Sequence, residues 1–449
     1  MPTIVGTIFL CFAVFFFLFR QDRLFGLLII ASIFQGSAAL KFGTRGLQSF
    51  FIIEMLIVLR SIGNLLLRPR QREPLPQGFW LLLFGGISIA SAFIGPFLFA
   101  GMPIYDPLQG IDLGAVIRPP LHFGGTNVTQ VAYLSLHMAT AYALMTIPYS
   151  EKKTSKAYLI AFYLLALCVF AQAFCRVTGI PFPDSVVRNS PDLMNLMDSP
   201  GLLRKPGPFM EPSFAGACLV LYSIGFLTEY FEGKGKAFRV MVAIAASVAV
   251  TSTGSLFTLA IFAAILLSRH FPIRFPWYVN IKKGKRVLAL GILCLVPIAF
   301  ALPLLLNYQQ VLLQLTVSKG ESGSFINRTT SDIYALGILV HTYGIGVGLG
   351  SNRPSSLVTF LLSNVGIAGF LAFAIYYLRL FSGLSQTYGW LFWAGAALLF
   401  NMCVDVPDVT FPILWVAIFL ATQTRRMQRK QVRGMKAMES DGRVLSPSA

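Results

Sequence analysis

The sequence predicts an all-α polytopic membrane protein with about 12–13 transmembrane helices. Three observations carry that prediction. Apolar stretches such as 2–19, 24–40, 79–100 and 128–148 are each long enough to cross about 30 Å of hydrocarbon. Hydrophobic side chains make up 55% of the 449 residues and charged ones only 12%, with a mean hydropathy of +0.70. Basic segments at 68–72, 151–156, 234–239, 269–286 and from 425 onward punctuate the apolar runs so that all fall on one side, as the positive-inside rule requires.

In chain order, the predicted spans are 3–19, 24–40, 47–67, 79–99, 128–148, 158–174 and 213–231. A pair at 239–251 and 255–268 follows, then 287–306, 355–378, 389–405 and 411–424. This places the N-terminus outside and makes 1–424 a single transmembrane domain, followed by a basic cytoplasmic tail at 425–449. The first apolar stretch has one basic residue after it, Arg20, and no small-residue cleavage site, so it reads as a retained helix. Glu54 and Arg60 share the third span but are six positions apart, so each requires a partner elsewhere. They have a functional role, or they form helix-packing ion pairs, or the span boundary falls elsewhere.

The pair at 239–268 is a special case. Its 30 residues are too many for a simple helix, yet both flanks are basic and cytoplasmic. Thr251-Ser252-Thr253-Gly254-Ser255 supplies a turn, so the segment is expected to be a short-helix hairpin lining a cavity open to the outside. One tilted helix is the alternative.

A net charge of +18 invites a nucleic-acid reading until the charges are placed. The topology puts 26 of the 36 Lys and Arg in the cytoplasm and leaves 10 outside, opposite ten acids. The basicity is an orientation signal with weak attraction to anionic membrane lipids, and no nucleic acid is expected. Six scattered cysteines form no CxxC or Cys/His pattern, so they read as packing residues and no metal site is expected.

External segments at 174–212 and 307–354 carry the candidate chemistry. The first ends in Arg204-Lys-Pro-Gly-Pro-Phe-Met-Glu-Pro-Ser-Phe-Ala-Gly216. Its prolines at 206 and 208 oppose helix, whereas Pro212 suits a first helical turn. Two cations thus approach a helix N-terminus, where backbone N–H groups and the dipole favour phosphate. The second segment carries Arg328 before a helix and, after it, the run Gly344-Ile-Gly-Val-Gly-Leu-Gly350. That run lacks the GK[ST] ending of a nucleotide loop. It is expected to let backbone approach a sugar or phosphate, through Gly346 and Gly348. No D-x-D occurs to bridge a metal to a diphosphate.

Arg204–Gly216 resembles the arginine-glycine-aromatic-proline motif of the bacterial O-antigen polymerase and ligase superfamily (Wzy-type). The 251–255 turn is similar to the Ser/Thr-rich turn those proteins carry next. Asn327-Arg328 and the stretch His341–Phe373 resemble their second arginine, glycine-rich turn and N-x-G-x-x-G helix. The resemblance covers residues 200–375 in order and spacing.

It implies a GT-C-like fold and an inverting membrane glycosyltransferase in the bacterial inner membrane, with its site facing the periplasm. The donor would be an undecaprenyl-diphosphate-linked oligosaccharide, with no cofactor and no metal. Flippase and chain-length regulator proteins would be partners. Fixed cations stabilise a departing diphosphate most where charge develops, and a guanidinium binds phosphate oxygens bidentately. Arg204 and Arg328 are therefore the expected diphosphate contacts, the alternative being arginines that reach to headgroups. Glu211 is a candidate general base, or else it serves the helix dipole or pairs with Arg204. Lys205 and Arg353 add charge or are ordinary surface, and Tyr334 joins them as a candidate substrate contact.

The superfamily's ligases carry a histidine close to the start of the helix after the glycine-rich turn. Here that stretch reads Ser351-Asn-Arg-Pro-Ser-Ser356, and His341 lies before the turn as a substrate contact or a packing residue. The departure favours an exopolysaccharide or O-antigen polymerase over a ligase. A lipid-linked oligosaccharide transporter would call for internal repeats and midplane charge, and no repeat is visible.

Overall fold

The computed structural model describes residues 1–43, 45–67, 74–109, 111, 114, 116–190, 206–270, 323–385 and 387–440. Helix makes up 72% of it and its strands form one short hairpin, so the protein is an all-α membrane protein. The helices are α1 Ile4–Phe19, α2 Leu24–Ala31, α3 Ser49–Leu67, α4 Gly78–Leu98, α5 Gly125–Ala143, α6 Glu151–Thr178 and the single turn α7 Asp184–Val187. They continue with α8 Pro212–Phe231, α9 Ala237–Val250, α10 Thr253–His270, α11 Gly323–His341, α12 Leu357–Ser382, α13 Gly389–Asp405 and α14 Pro412–Ser440. Among the described residues, six helices are long and apolar enough to cross a membrane: α3, α4, α6, α8, α10 and α12. Three shorter apolar helices, α1, α9 and α13, accompany them. The predicted span 287–306 lies outside the described residues.

The second predicted span is not one helix. Helix α2 stops at Ala31, and 32–37 continues as buried irregular chain into β1 (Ala38–Phe42), which pairs antiparallel with β2 (Arg45–Gln48). Ser32, Gln35, Gly36 and Ser37 are the cause, because hydroxyls and amides compete for the backbone groups that a helix would use. The break is held by partners: Gly36 N–H donates to Pro208 O at 2.8 Å, and Ser190 N–H to Gly36 O at 3.1 Å. Residues expected to form a tail are also helical, since α14 runs on to Ser440.

Helix α8 is the axis of the fold. Nearly every residue from Ser213 to Phe231 is buried, and α9, α10 and α13 pack around it. The predicted turn between α9 and α10 is present at Thr251–Ser252, with Thr251 in the left-handed conformation (φ 57°). One arm is short, 14 residues, whereas α10 reaches 18 residues. The second expected short arm is therefore longer than its sequence pattern implied.

Helix α12 bends at Gly366 (φ 71°), and the glycine run lies in the bend. Val347 N–H donates to Ser363 O, Gly348 N–H to Asn364 O and Ile367 N–H to Gly344 O, all at 2.8–2.9 Å. A bent helix leaves backbone groups open, and here the run satisfies them. The Asn364 side chain completes the junction. Its oxygen accepts from Ser351 and Asn352 N–H at 3.1 and 3.0 Å, and its amide donates to Asn352 O at 2.7 Å.

A candidate site where four chain segments meet

Three of the segments singled out in the sequence come together near the start of α8. Glu211 is its N-cap residue and Pro212 its first helical residue. The preceding turn is anchored rather than free: Pro206–Phe209 is buried, and Gly207 N–H donates to the Gln172 side chain at 2.9 Å. One turn into α8, Gly216 faces the 251–255 turn so closely that a methyl group there would collide with Ser255 and Ser252. Ser252 and Ser255 are 3.0 Å apart, and Ser252 Oγ donates to Asp405 Oδ2 at 3.1 Å. Asn401, one turn before Asp405 on α13, donates to Ser255 and Thr258 at 3.4 and 3.1 Å.

Asp405 is the hub. Its Oδ1 forms an ion pair with Arg328 Nη1 from α11, and a Cβ on Gly254 would lie only 3.0 Å from its carboxylate. The second arginine is thereby joined to the Ser/Thr turn and, through Ser255 and Gly216, to the helix that follows the first motif. Arg328 and Asp405 keep 31% and 13% of their side-chain surface exposed. Asp405 and Asp408 flank Pro407 in the sequence, as the residues of a tight turn or as contacts for a sugar. Asp408 fits the turn, accepting from Thr410 N–H and Oγ1 at 2.8 and 2.7 Å. Asp405 does not. A carboxylate in the last turn of a helix is disfavoured by the dipole, and that position was the signal for it.

Four residues on, Asp332 fixes the helix that carries Arg328. Its carboxylate accepts from Ser355 Oγ at 2.6 Å, Ser355 N–H at 2.9 Å, Thr359 Oγ1 at 2.7 Å and Ser356 N–H at 3.2 Å. It thus caps α12 from outside and locks α11 to it.

The other site candidates are dispersed. Arg204 and Lys205 lie outside the described residues. Glu211 is half-buried, and Ser213 Oγ donates to its Oε2 at 3.3 Å. Tyr334 points its hydroxyl to Pro103 O at 2.7 Å and carries the Arg118 guanidinium 4.3 Å over its ring. Arg353 N–H donates to Tyr105 O at 2.9 Å. His341 is exposed at the far end of α11, about 20 Å along the helix from Arg328.

Gly346 and Gly348 approach the protein's own backbone. A Cβ would lie 2.7 Å from Asn364 O at Gly346 and 2.7 Å from Ser91 O at Gly348. Both have positive φ, 85° and 105°. Packing against the protein's own main chain is enough to require glycine at both positions.

Among the described residues, no group of three or more His, Cys, Asp or Glu is placed to hold a metal ion. The five described cysteines are free thiols. No protein-family model matches the chain, and no curated protein matches its sequence.

Proposed function

We propose that the protein is a polysaccharide polymerase of GT-C-like architecture in the bacterial inner membrane. It would move a growing glycan from undecaprenyl diphosphate to a lipid-linked repeat unit at the periplasmic face. The observation that carries this reading is the Arg328–Asp405–Ser252 cluster, which unites motifs far apart in the chain beside the first turn of α8. A guanidinium held by a carboxylate is oriented before the substrate arrives, which is what electrostatic stabilisation of a leaving group requires.

In the proposed step an acceptor hydroxyl attacks the anomeric carbon with inversion. The bond from that carbon to the diphosphate oxygen breaks, and undecaprenyl diphosphate leaves as an anion stabilised by Arg328, with Arg204 the second cation the sequence offers for it. The hydroxyl proton passes to a carboxylate. Glu211 is the better candidate, because Asp405 is engaged by Arg328 and Ser252. Lys205, Arg353 and Tyr334 remain candidate contacts for the remainder of the substrate. His341 lies too far along α11 to act beside Arg328, which favours a polymerase over a histidine-dependent ligase.

The test uses purified protein, a synthetic undecaprenyl-diphosphate repeat unit, and neither metal nor nucleotide. The expected result is a ladder of longer lipid-linked glycans, lost in Arg204→Ala and in Arg328→Ala. A single transfer to another acceptor, with no ladder, would move the assignment to a ligase. Movement of the intact lipid-linked unit between leaflets, without transfer, would make it a transporter.

A further inference from the structure

Helix α3 buries Glu54 and helix α5 buries His137, each with 0% exposure. His137 Nδ1 lies 2.9 Å from Glu54 Oε1, and Nε2 lies 3.1 Å from the carbonyl oxygen of Thr410. A carbonyl only accepts, so Nε2 carries a proton. One further proton lies between Nδ1 and the carboxylate, and on either atom it leaves the pair neutral overall. Neutrality is what a pair sealed among apolar helices requires.

The imidazole has a neighbour performing the same task. Trp415 stacks on it at 4.8 Å between centroids and donates its Nε1–H to Val409 O at 2.8 Å. Two stacked rings therefore grip consecutive carbonyls, 409 and 410, of one turn. That turn runs from Asp405 to Phe411. Val406, Val409, Thr410 and Phe411 are buried, and Phe411 packs against Phe214 of α8 at 5.2 Å. At its start, Asp405 holds Arg328.

We propose that Glu54 and His137 are a positioning pair for the transfer reaction. The carboxylate orients the imidazole, the imidazole holds the 405–411 turn by its Thr410 carbonyl, and the turn presents Asp405 to Arg328. This rests on reading the Arg328 cluster as the site of transfer.

Two substitutions separate positioning from mere packing. In His137→Gln the amide nitrogen can stand where Nε2 stood and still donate to Thr410. In His137→Asn the amide reaches only the Nδ1 position, so the Thr410 bond is lost. Each variant is purified and assayed for glycan transfer, and its amide hydrogen exchange is followed over 406–411 and over the remaining helices. For His137→Asn, kcat should fall about tenfold, the loss expected of one hydrogen bond, with KM for the lipid-linked donor within about twofold. Exchange should rise in 406–411 alone. His137→Gln should stay within about threefold of wild type in kcat and exchange.

Unchanged exchange at 406–411 in His137→Asn would overturn the proposal. So would a rise spread over the whole protein, an equal loss of activity in both variants, or local loosening without a fall in kcat. If the wild-type protein makes no glycan while 406–411 still loosens only in His137→Asn, the polymerase reading fails and the hold on the turn stands.

Discussion

The Arg328–Asp405 and Glu54–His137 pairs are built alike but placed oppositely. Each joins a carboxylate to a nitrogen cation or base across helices 77 and 83 residues apart in sequence. One retains solvent contact at both partners, and the other retains none. The sealed pair must have a neutral sum and a hydrogen-bond partner for both ring nitrogens. The open pair is under no such constraint, because part of each side chain stays accessible. A membrane protein can thus use the same chemistry for architecture or for encounter, and solvent access decides which.

Breaking the sealed pair should have the largest effect. Glu54→Ala leaves His137 without its partner in an apolar setting, and removing one member of a buried pair costs about 3–5 kcal/mol. A thermal melt in detergent should register the loss. Glu54→Gln, whose amide can donate to Nδ1 while Nε2 keeps Thr410, should recover most of it. Equal melting of the two variants would contradict this account of the proton count.

The open pair should respond in rate rather than stability. Arg328→Ala is expected to lower kcat about 100- to 1000-fold, the range for removing one oriented donor from a developing negative charge. Its melt should stay within about 1 kcal/mol of wild type, the scale of partly exposed ion pairs. An Arg328→Ala protein that unfolds would mean that both pairs are architectural. Ser252→Ala, which removes one hydrogen bond to Asp405, is expected to cost about 1 kcal/mol, seen as a several-fold fall in kcat.

Most helices were legible because apolar runs and basic flanks report spans directly. The predicted spans at 3–19, 47–67, 79–99, 213–231 and 389–405 each differ from α1, α3, α4, α8 and α13 by at most a few residues. Hydropathy could not reveal that 24–40 breaks at Ser32, because a buried irregular segment is nearly as apolar as a helix. The cluster Ser32, Gln35, Gly36, Ser37 was the only hint of it.

In the candidate site, Arg328 and the 251–255 turn were readable from residue type, but their junction was not. Asp405 lies 77 residues from Arg328, and nothing local marks the two as partners. Glu54 needs a partner by its place in an apolar span. His137 is not identifiable as that partner, because a single histidine in an apolar helix carries no signature until the fold brings it to a carboxylate.

The glycine run set in the bend of α12 bears on how variation in this protein should be read. At 344, 346, 348 and 350 the backbone takes the left-handed conformation in alternation. At three of these positions, 346, 348 and 350, the space for a side chain is filled by main chain of α12, α4 and α5. Drift is therefore barred there by stereochemistry, whatever the protein binds. An unchanging strip of glycines across related sequences would record the shape of a joint. The specificity of the reaction would be recorded elsewhere, among residues that are free to change.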